Sequence, residues 1–171
     1  MLGVMWQSEF AASLPWVDGD LAVRLSQLGD GQFLYDLNQD PDVIEFLGGP
    51  LGHSATVNDE NLIKGPHNIQ IATLSGAAIG YTAFIENDYA EGMDVLIVIS
   101  AAHRSRGVGR RLLSLLTGGW KACFPEKSIA ITTRAENAAA QRLLESCNYR
   151  KVGEYHDQLN YHHFVFREAA T

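Results

Sequence analysis

Arg104-Ser105-Arg106-Gly107-Val108-Gly109-Arg110-Arg111 puts four arginines and two glycines within eight residues, and the chemistry such a stretch suits is the binding of a phosphate-like anion. Glycines let a backbone approach a ligand closely, and the free N–H groups and positive dipole end of a helix starting here favour negative charge. The arginines add countercharge. A helix is legible downstream, because Val108, Leu112, Leu115 and Leu116 recur at i, i+4, i+7 and i+8 and mark one buried face. The apolar run Val95 to Ile99 precedes the stretch, so a strand, a glycine turn and a helix follow in order.

Two familiar phosphate loops fail the comparison. A P-loop needs Lys-Ser/Thr after its second glycine, where Arg110 and Arg111 stand. A dinucleotide fingerprint needs a small residue three positions after Gly109, where Leu112 stands. The stretch instead resembles the Arg/Gln-x-x-Gly-x-Gly/Ala pyrophosphate loop of the GNAT superfamily of acyl-CoA-dependent N-acetyltransferases, through Arg104, Gly107 and Gly109. Downstream, Asn137, Ala140, Leu143, Glu145 and Tyr149 resemble the family's Asn-x-x-Ala-x-x-Leu-Tyr-Glu-Lys-x-Gly-Phe helix, with Asn148 at its glycine and Leu144 at its tyrosine. Around Arg24, Leu25 and Asp40-Pro41-Asp42-Val43 the chain is also similar to the branch that acetylates ribosomal-protein N-termini and to its aminoglycoside- and polyamine-modifying cousins. Each motif alone also has a plain structural reading, a tight turn or a solvated helix end; their order along one chain favours the resemblance.

The resemblance implies an acyl-CoA N-acyltransferase fold of the α/β (α+β) class: a mixed, mostly antiparallel central sheet flanked by helices. It implies direct transfer of an acetyl group from acetyl-CoA to a primary amine, of a small molecule or a peptide N-terminus, without a metal. It places the pyrophosphate on the backbone amides of Arg106, Gly107, Val108, Gly109, Arg110 and Arg111, with Arg104 in the same loop. The pantetheine arm falls along the backbone of Ile97, Val98 and Ile99, within reach of the Asn137 side chain. Leu144 cannot protonate a departing thiolate; Tyr149, Cys147, Ser146 and Ser100 are nearby substitutes in sequence, although Tyr149 matches a core aromatic and packing is its favoured reading, and water or the ammonium product is the alternative donor. Glu86, Glu91 and Asp94, on or beside a hairpin, are candidate bases, with solvated turn charges or bulk water as alternatives. Leu144 also motivates a second reading, a regulatory module that binds CoA without turnover.

Length and composition agree. At 171 residues and 46% hydrophobic content, residues 1–171 suit a single domain with a substantial core. No apolar run approaches the roughly 20 residues of a membrane span. Met1 to Asp20 lacks Lys and Arg, and two cysteines, Cys123 and Cys147, form no disulfide framework, so a cytoplasmic protein with reduced thiols is expected. A net charge of −7 argues against nucleic-acid binding and suits a cationic amine partner.

The elements expected to position the site are a strand at Leu21 to Leu25, a helix capped by Asp30 and a short helix after Asp40-Pro41. A polar stretch from Leu51 to Gly65 is expected to border the cleft. Then come a hairpin of Ile69 to Leu74 and Ala78 to Phe84, the strand Val95 to Ile99, a helix from Gly107 to about Cys123, a strand at Ile129 to Thr133, a helix at Ala138 to Cys147, and a final pair of strands. The last, Tyr161 to Arg167, is a candidate homodimer surface. His162-His163 should point to opposite faces and form no metal site.

Overall fold

A computed structural model describes residues 5–47, 69–87 and 92–169, so the polar stretch from Leu51 to Gly65 and Glu91 lie outside the described residues. Eight strands form one sheet in the order β1-β2-β3-β4-β5-β6-β8-β7. They are β1 Trp16–Asp18, β2 Leu21–Leu25, β3 Ile69–Leu74, β4 Ala77–Asn87, β5 Gly92–Ile99, β6 Ile129–Arg134, β7 Tyr149–His156 and β8 His162–Glu168. Every described pairing is antiparallel except β5 with β6. The helices are α1 Met5–Ser13, α2 Asp30–Leu37, α3 Pro41–Leu47, α4 Val108–Cys123 and α5 Ala138–Ser146. Among the described residues no helix is long and apolar enough to cross a membrane, and no group of three His, Cys, Asp or Glu could hold a metal ion.

Side chains alternate across each strand, so the sheet has two cores. On one face Phe10 of α1, Leu112, Leu116 and Trp120 of α4 and Leu144 of α5 pack on Val23, Phe84 and Val95. On the other, Leu34 and Leu37 of α2 and Val43 of α3 pack on Ile71, Tyr81 and Val98. The first core is aromatic at its centre, with Phe84 and Trp120 stacked at 4.9 Å. Gly119 of α4 lies so close to Trp16 that a Cβ there would meet the indole at 2.2 Å. α4, the helix behind the arginine-glycine stretch, is therefore fixed by packing rather than by its ends.

Sequence expectation and structure differ in four places. α1 and β1 precede the strand expected to be first; three residues are too few for β1 to show a period of two. Asp30 does not cap α2: Gly29 is the N-cap in a left-handed conformation, and Asp30 pairs with Arg24 at 2.8 Å and accepts the Gln27 N–H at 2.8 Å. The hairpin's second strand runs on to Asn87, and its Ser75-Gly76 turn has positive φ at both residues, which suits the twist of a two-residue hairpin. β8 is flanked by β6 and β7 and has no open edge, so on this side of the sheet the edge strand is β7.

Candidate active site

β5 and β6 run side by side only at Met93↔Ile129 and Asp94↔Ala130. Beyond that point β5 keeps β4 as its neighbour through Gly80↔Ile99, while β6 diverges. The cause lies in Asp94. Its Oδ1 accepts the Thr132 N–H at 2.9 Å, an amide that a continuing parallel ladder would direct at a β5 backbone carbonyl. A carboxylate thus ends the ladder and starts the opening. Asp94, expected as a candidate base, stands at the crotch of the two strands with its Oδ1 engaged by a backbone amide.

Backbone groups alternate along β5 as the side chains do. The Ser100 N–H bonds to the Ile79 carbonyl of β4, so the Val98 amide and carbonyl also point to β4 and those of Ile97 and Ile99 point into the opening. The Ile99 carbonyl is taken by Arg104 Nε at 2.8 Å. Ile97 therefore keeps both backbone groups toward the opening, and Val98, expected to share that duty, contributes a buried side chain to the α2–α3 core instead.

At the wide end of the opening the chain makes a short 3₁₀ turn, Ala101–His103, and enters the arginine-glycine stretch. Ser105 and Gly107 both have positive φ, 59° and 79°, on either side of Arg106, which curls successive amides toward one point. Gly107 is the N-cap of α4 and has no side-chain cap. Among the described residues, the amides from Arg106 to Arg110 make no hydrogen bond, as the first amides of a helix find no partner within it. The two glycines divide the work. A Cβ on Gly107 would meet nothing within 4 Å but would be strained by its φ, whereas one on Gly109 would press on Leu143 at 3.1 Å. Gly107 shapes the loop, and Gly109 lets α5 close on α4.

The arginines also divide. Arg104 NH1 and NH2 bind Asp42 at 2.5 Å and Asp40 at 2.7 Å, fastening the loop to the start of α3. Arg111 binds Asp18 at 3.1 Å and Asp20 at 2.8 Å, fastening α4 to the β1–β2 turn. The Arg111 hydrogen bond is the main reason the Asp20 carboxyl is held below its ordinary range. Arg106 and Arg110 are exposed and, among the described residues, unpaired. Countercharge for an anion thus comes from two side chains, not four. Asn137 Oδ1 is spent on capping α5 through the Ala140 N–H at 3.0 Å.

The remaining acid–base candidates are scattered. Tyr149 is 2% exposed, and its hydroxyl shares a hydrogen bond with Thr117 Oγ1 at 2.7 Å beneath α4. Burial pushes its phenol up to about 12, so Tyr149 is a core residue and not the acid of an open cleft. Leu144 is 2% exposed in the same core. Glu86 is exposed and stands opposite Met93, while Asp94 stands opposite Ile85, so the two carboxylates occupy opposite faces of the sheet. His162 and His163 also separate, toward Glu154 and Asp157. Sequence reading did not single out Thr132 and Arg134, polar side chains on the diverging arm of β6. Their alternation with Ile131 and Thr133 was the available signal, and it means little until the strands are known to part.

Residues 31–149 match the model of the Acetyltransferase (GNAT) family. The chain belongs to that family. As a GNAT acetyltransferase it has the fold and the reaction that the two motifs imply, N-acetyl transfer from acetyl-CoA. No curated protein sequence matches the chain. Solved structures similar in fold include a GNAT-family acetyltransferase from Bacillus anthracis, 13% identical with a TM-score of 0.77 over 90% of this chain and 97% of that one. Another is spermidine N-acetyltransferase from Vibrio cholerae in complex with CoA and spermine, 16% identical with a TM-score of 0.71 over 88% and 95%. A third is the microcin C7 self-immunity acetyltransferase in complex with acetyl-CoA and AMP, 12% identical with a TM-score of 0.75 over 90% and 94%. In this GNAT chain β5, whose pairing with β6 ends at Asp94↔Ala130, leads through Ala101–His103 to the glycine turn before α4.

Proposed function

We propose that the chain moves an acetyl group from acetyl-CoA directly to a primary amine within a ternary complex, using the β5–β6 opening. The pyrophosphate sits on the amides of Arg106 to Arg110, with the Arg106 and Arg110 side chains supplying countercharge, while the Arg111 amide, expected to join them, donates to the Gly107 carbonyl at 3.2 Å. The pantetheine arm runs along β5 and pairs with the backbone of Ile97, whose N–H also polarises the thioester carbonyl as negative charge develops on it. The amine attacks that carbonyl as the neutral base, and its proton passes to solvent water, because Asp94 is engaged at the crotch of the opening and Tyr149 is buried. The thiolate leaves without a tyrosine donor and takes its proton from water or from the ammonium product.

The observation that carries this reading is the two-residue limit of the β5–β6 pairing, with uncapped amides at the wide end of the same gap. The experiment is calorimetric titration with acetyl-CoA, desulfo-CoA and ATP, followed by initial-rate kinetics over an amine panel. Selective binding of the CoA compounds, its loss in Gly107→Glu, and intersecting double-reciprocal lines are expected. Parallel lines would point to an acetylated enzyme and overturn direct transfer. CoA binding that survives Gly107→Glu would overturn the placement of the pyrophosphate. Glu86→Gln should leave kcat within about twofold if water takes the proton.

A further inference from the structure

Beyond the crotch, one face of β6 carries polar groups that the donor side does not use. Ala130 stands opposite Asp94, so Thr132 and Arg134 lie on the same face as Asp94, farther along the diverging arm. α2 and α3 cover this face of the sheet only over β3 to β5, through Ile71, Tyr81 and Val98. Beside Arg134 stands His163 of β8, and beside His163 stands Tyr155 of β7. The Arg134 guanidinium carbon lies 3.5 Å from the centre of the Tyr161 ring. His163 is held from two sides, by Asp157 at 2.9 Å and by stacking on Tyr155 at 5.0 Å.

Arg134 is half-buried and, among the described residues, its side chain makes no ion pair and no hydrogen bond. In a chain with 20 acidic and 13 basic residues, Arg24, Arg104 and Arg111 are each gripped by carboxylates. Arg134 Nε is buried without a partner, and so is Thr132 Oγ1, two positions away on the same face. Unsatisfied buried polar atoms are costly, and these two lie on the same face of β6, on the arm that parts from β5. The tyrosine ring beneath the guanidinium holds its plane and leaves its forked edge for a planar or tetrahedral oxyanion.

We propose that this face is an anion subsite for the acetyl acceptor: the amine that receives the acetyl group carries a carboxylate or phosphate, which Arg134 binds and the Thr132 hydroxyl supports. The inference rests on the acetyl-transfer reading above. Arg134 lies four residues, about 13 Å of strand, past the last paired residue Ala130. The thioester is placed on the other arm, at Ile97. The acceptor therefore bridges the gap, its amine toward β5 and its anion on β6. Arg134 is a binding and specificity residue here, since it does not reach the reacting atoms.

The test compares acceptors that differ only in the anion: lysine with lysinamide, and phosphoethanolamine with ethanolamine. Wild type and Arg134→Gln are each assayed for turnover, and acceptor binding to the CoA-saturated protein is read by calorimetry in parallel, so that slow turnover does not mask the subsite. In wild type, kcat/KM for at least one anionic acceptor should exceed that of its neutral twin by tenfold or more, and the better pair distinguishes carboxylate from phosphate. Arg134→Gln should erase that difference mainly through KM while leaving acetyl-CoA affinity and the neutral twin unchanged. Arg134→Lys should restore part of it, keeping the charge but losing the fork. Neutral acceptors that bind and react as well as anionic ones, or an Arg134→Gln loss equal for both twins, would overturn the subsite and leave acetyl transfer standing. Absence of acetyl-CoA binding would overturn the acetyl-transfer reading itself, and the subsite with it.

Discussion

The two adjacent glycines of α4 should respond to alanine in opposite directions. Gly118 is exposed, and a Cβ there would meet nothing within 4 Å. Gly118→Ala should therefore collect the helix-interior advantage of alanine, about 1 kcal/mol, and raise the melting temperature by roughly 2–4 °C for a chain of this size. Gly119→Ala collects the same propensity but places its Cβ 2.2, 2.3 and 2.5 Å from Cδ2, Cε2 and Cε3 of Trp16. Carbon atoms rest at roughly 3.5–4.0 Å, so ring and helix must part by more than an ångström. Trp16 has little room to yield. Its ring is set edge-on to Phe10 at 5.1 Å and to Phe84 at 6.3 Å, and its Nε1 donates to Ser13 Oγ at 3.2 Å. Overpacking of this kind costs about 1–3 kcal/mol, and a rigid indole wedged against two phenylalanine rings argues for the upper part of that range. After the propensity gain, Gly119→Ala should be destabilised by about 1–2 kcal/mol and melt roughly 2–8 °C lower. Urea and thermal unfolding followed by circular dichroism and tryptophan fluorescence measure both variants against wild type. If Gly119→Ala proves as stable as Gly118→Ala, α4 does not rest on Trp16 and the packing of that core is wrong.

Asp94→Ala should cost about 1.5–3 kcal/mol through the lost charge-assisted bond to the Thr132 amide and weaken acetyl-CoA binding, whereas Asp94→Asn, which still offers an oxygen, should retain most of both; equal damage by the two variants would return Asp94 to a chemical role. Tyr149→Phe should leave kcat unchanged and cost about 0.5–1.5 kcal/mol of stability, measured by urea unfolding, as expected of a core hydroxyl. The Tyr149 phenol is raised to about 12 in the fold, so the stability it contributes is present below the unfolded value near ~10 and is lost as pH climbs toward 12. For Asp30, burial pushes the carboxyl up, but the Arg24 guanidinium and the Gln27 amide outweigh it and hold it below its ordinary value. Its contribution is then present above the unfolded pKa near ~3.9 and fades as pH falls through the lower folded value, so Asp30→Asn should flatten the acid limb of a stability–pH profile.

Much of the frame can be read from residue order because its causes are local. Val108, Leu112 and Leu116 recur at helical spacing and all three are buried, and Asn137 opens α5 as an N-cap whose oxygen meets the amide three residues on. Asn148, standing where the family's helix has glycine, takes the positive φ of 65° that a helix end calls for. The site is less legible, because its decisive contacts join distant residues. Arg104 meets its carboxylates across 62 and 64 residues, and Arg111 across 91 and 93. A motif shows four arginines at a phosphate loop but not that two of them are already taken. The opening has the same origin: Asp94 reads as a turn charge until Thr132, 38 residues later, is found beside it. Tyr149 reads first as a core aromatic and only second as an acid, and its buried contact with Thr117 agrees with the first reading.

The grip of Arg104 on Asp40 and Asp42 also bears on how this sequence can drift. One arginine braces a loop that must stay open at its amides, and two carboxylates on a different element hold the brace. Positions 40, 42 and 104 are thereby bound into one inherited unit: loss of either acid unbalances the guanidinium, and loss of the arginine strands two negative charges beside the glycine turn. Lineages that exchange this arginine for glutamine, the other residue the loop pattern admits, should also shed acidity at the start of α3. A charge reversal at 104 should persist only where both partners have reversed.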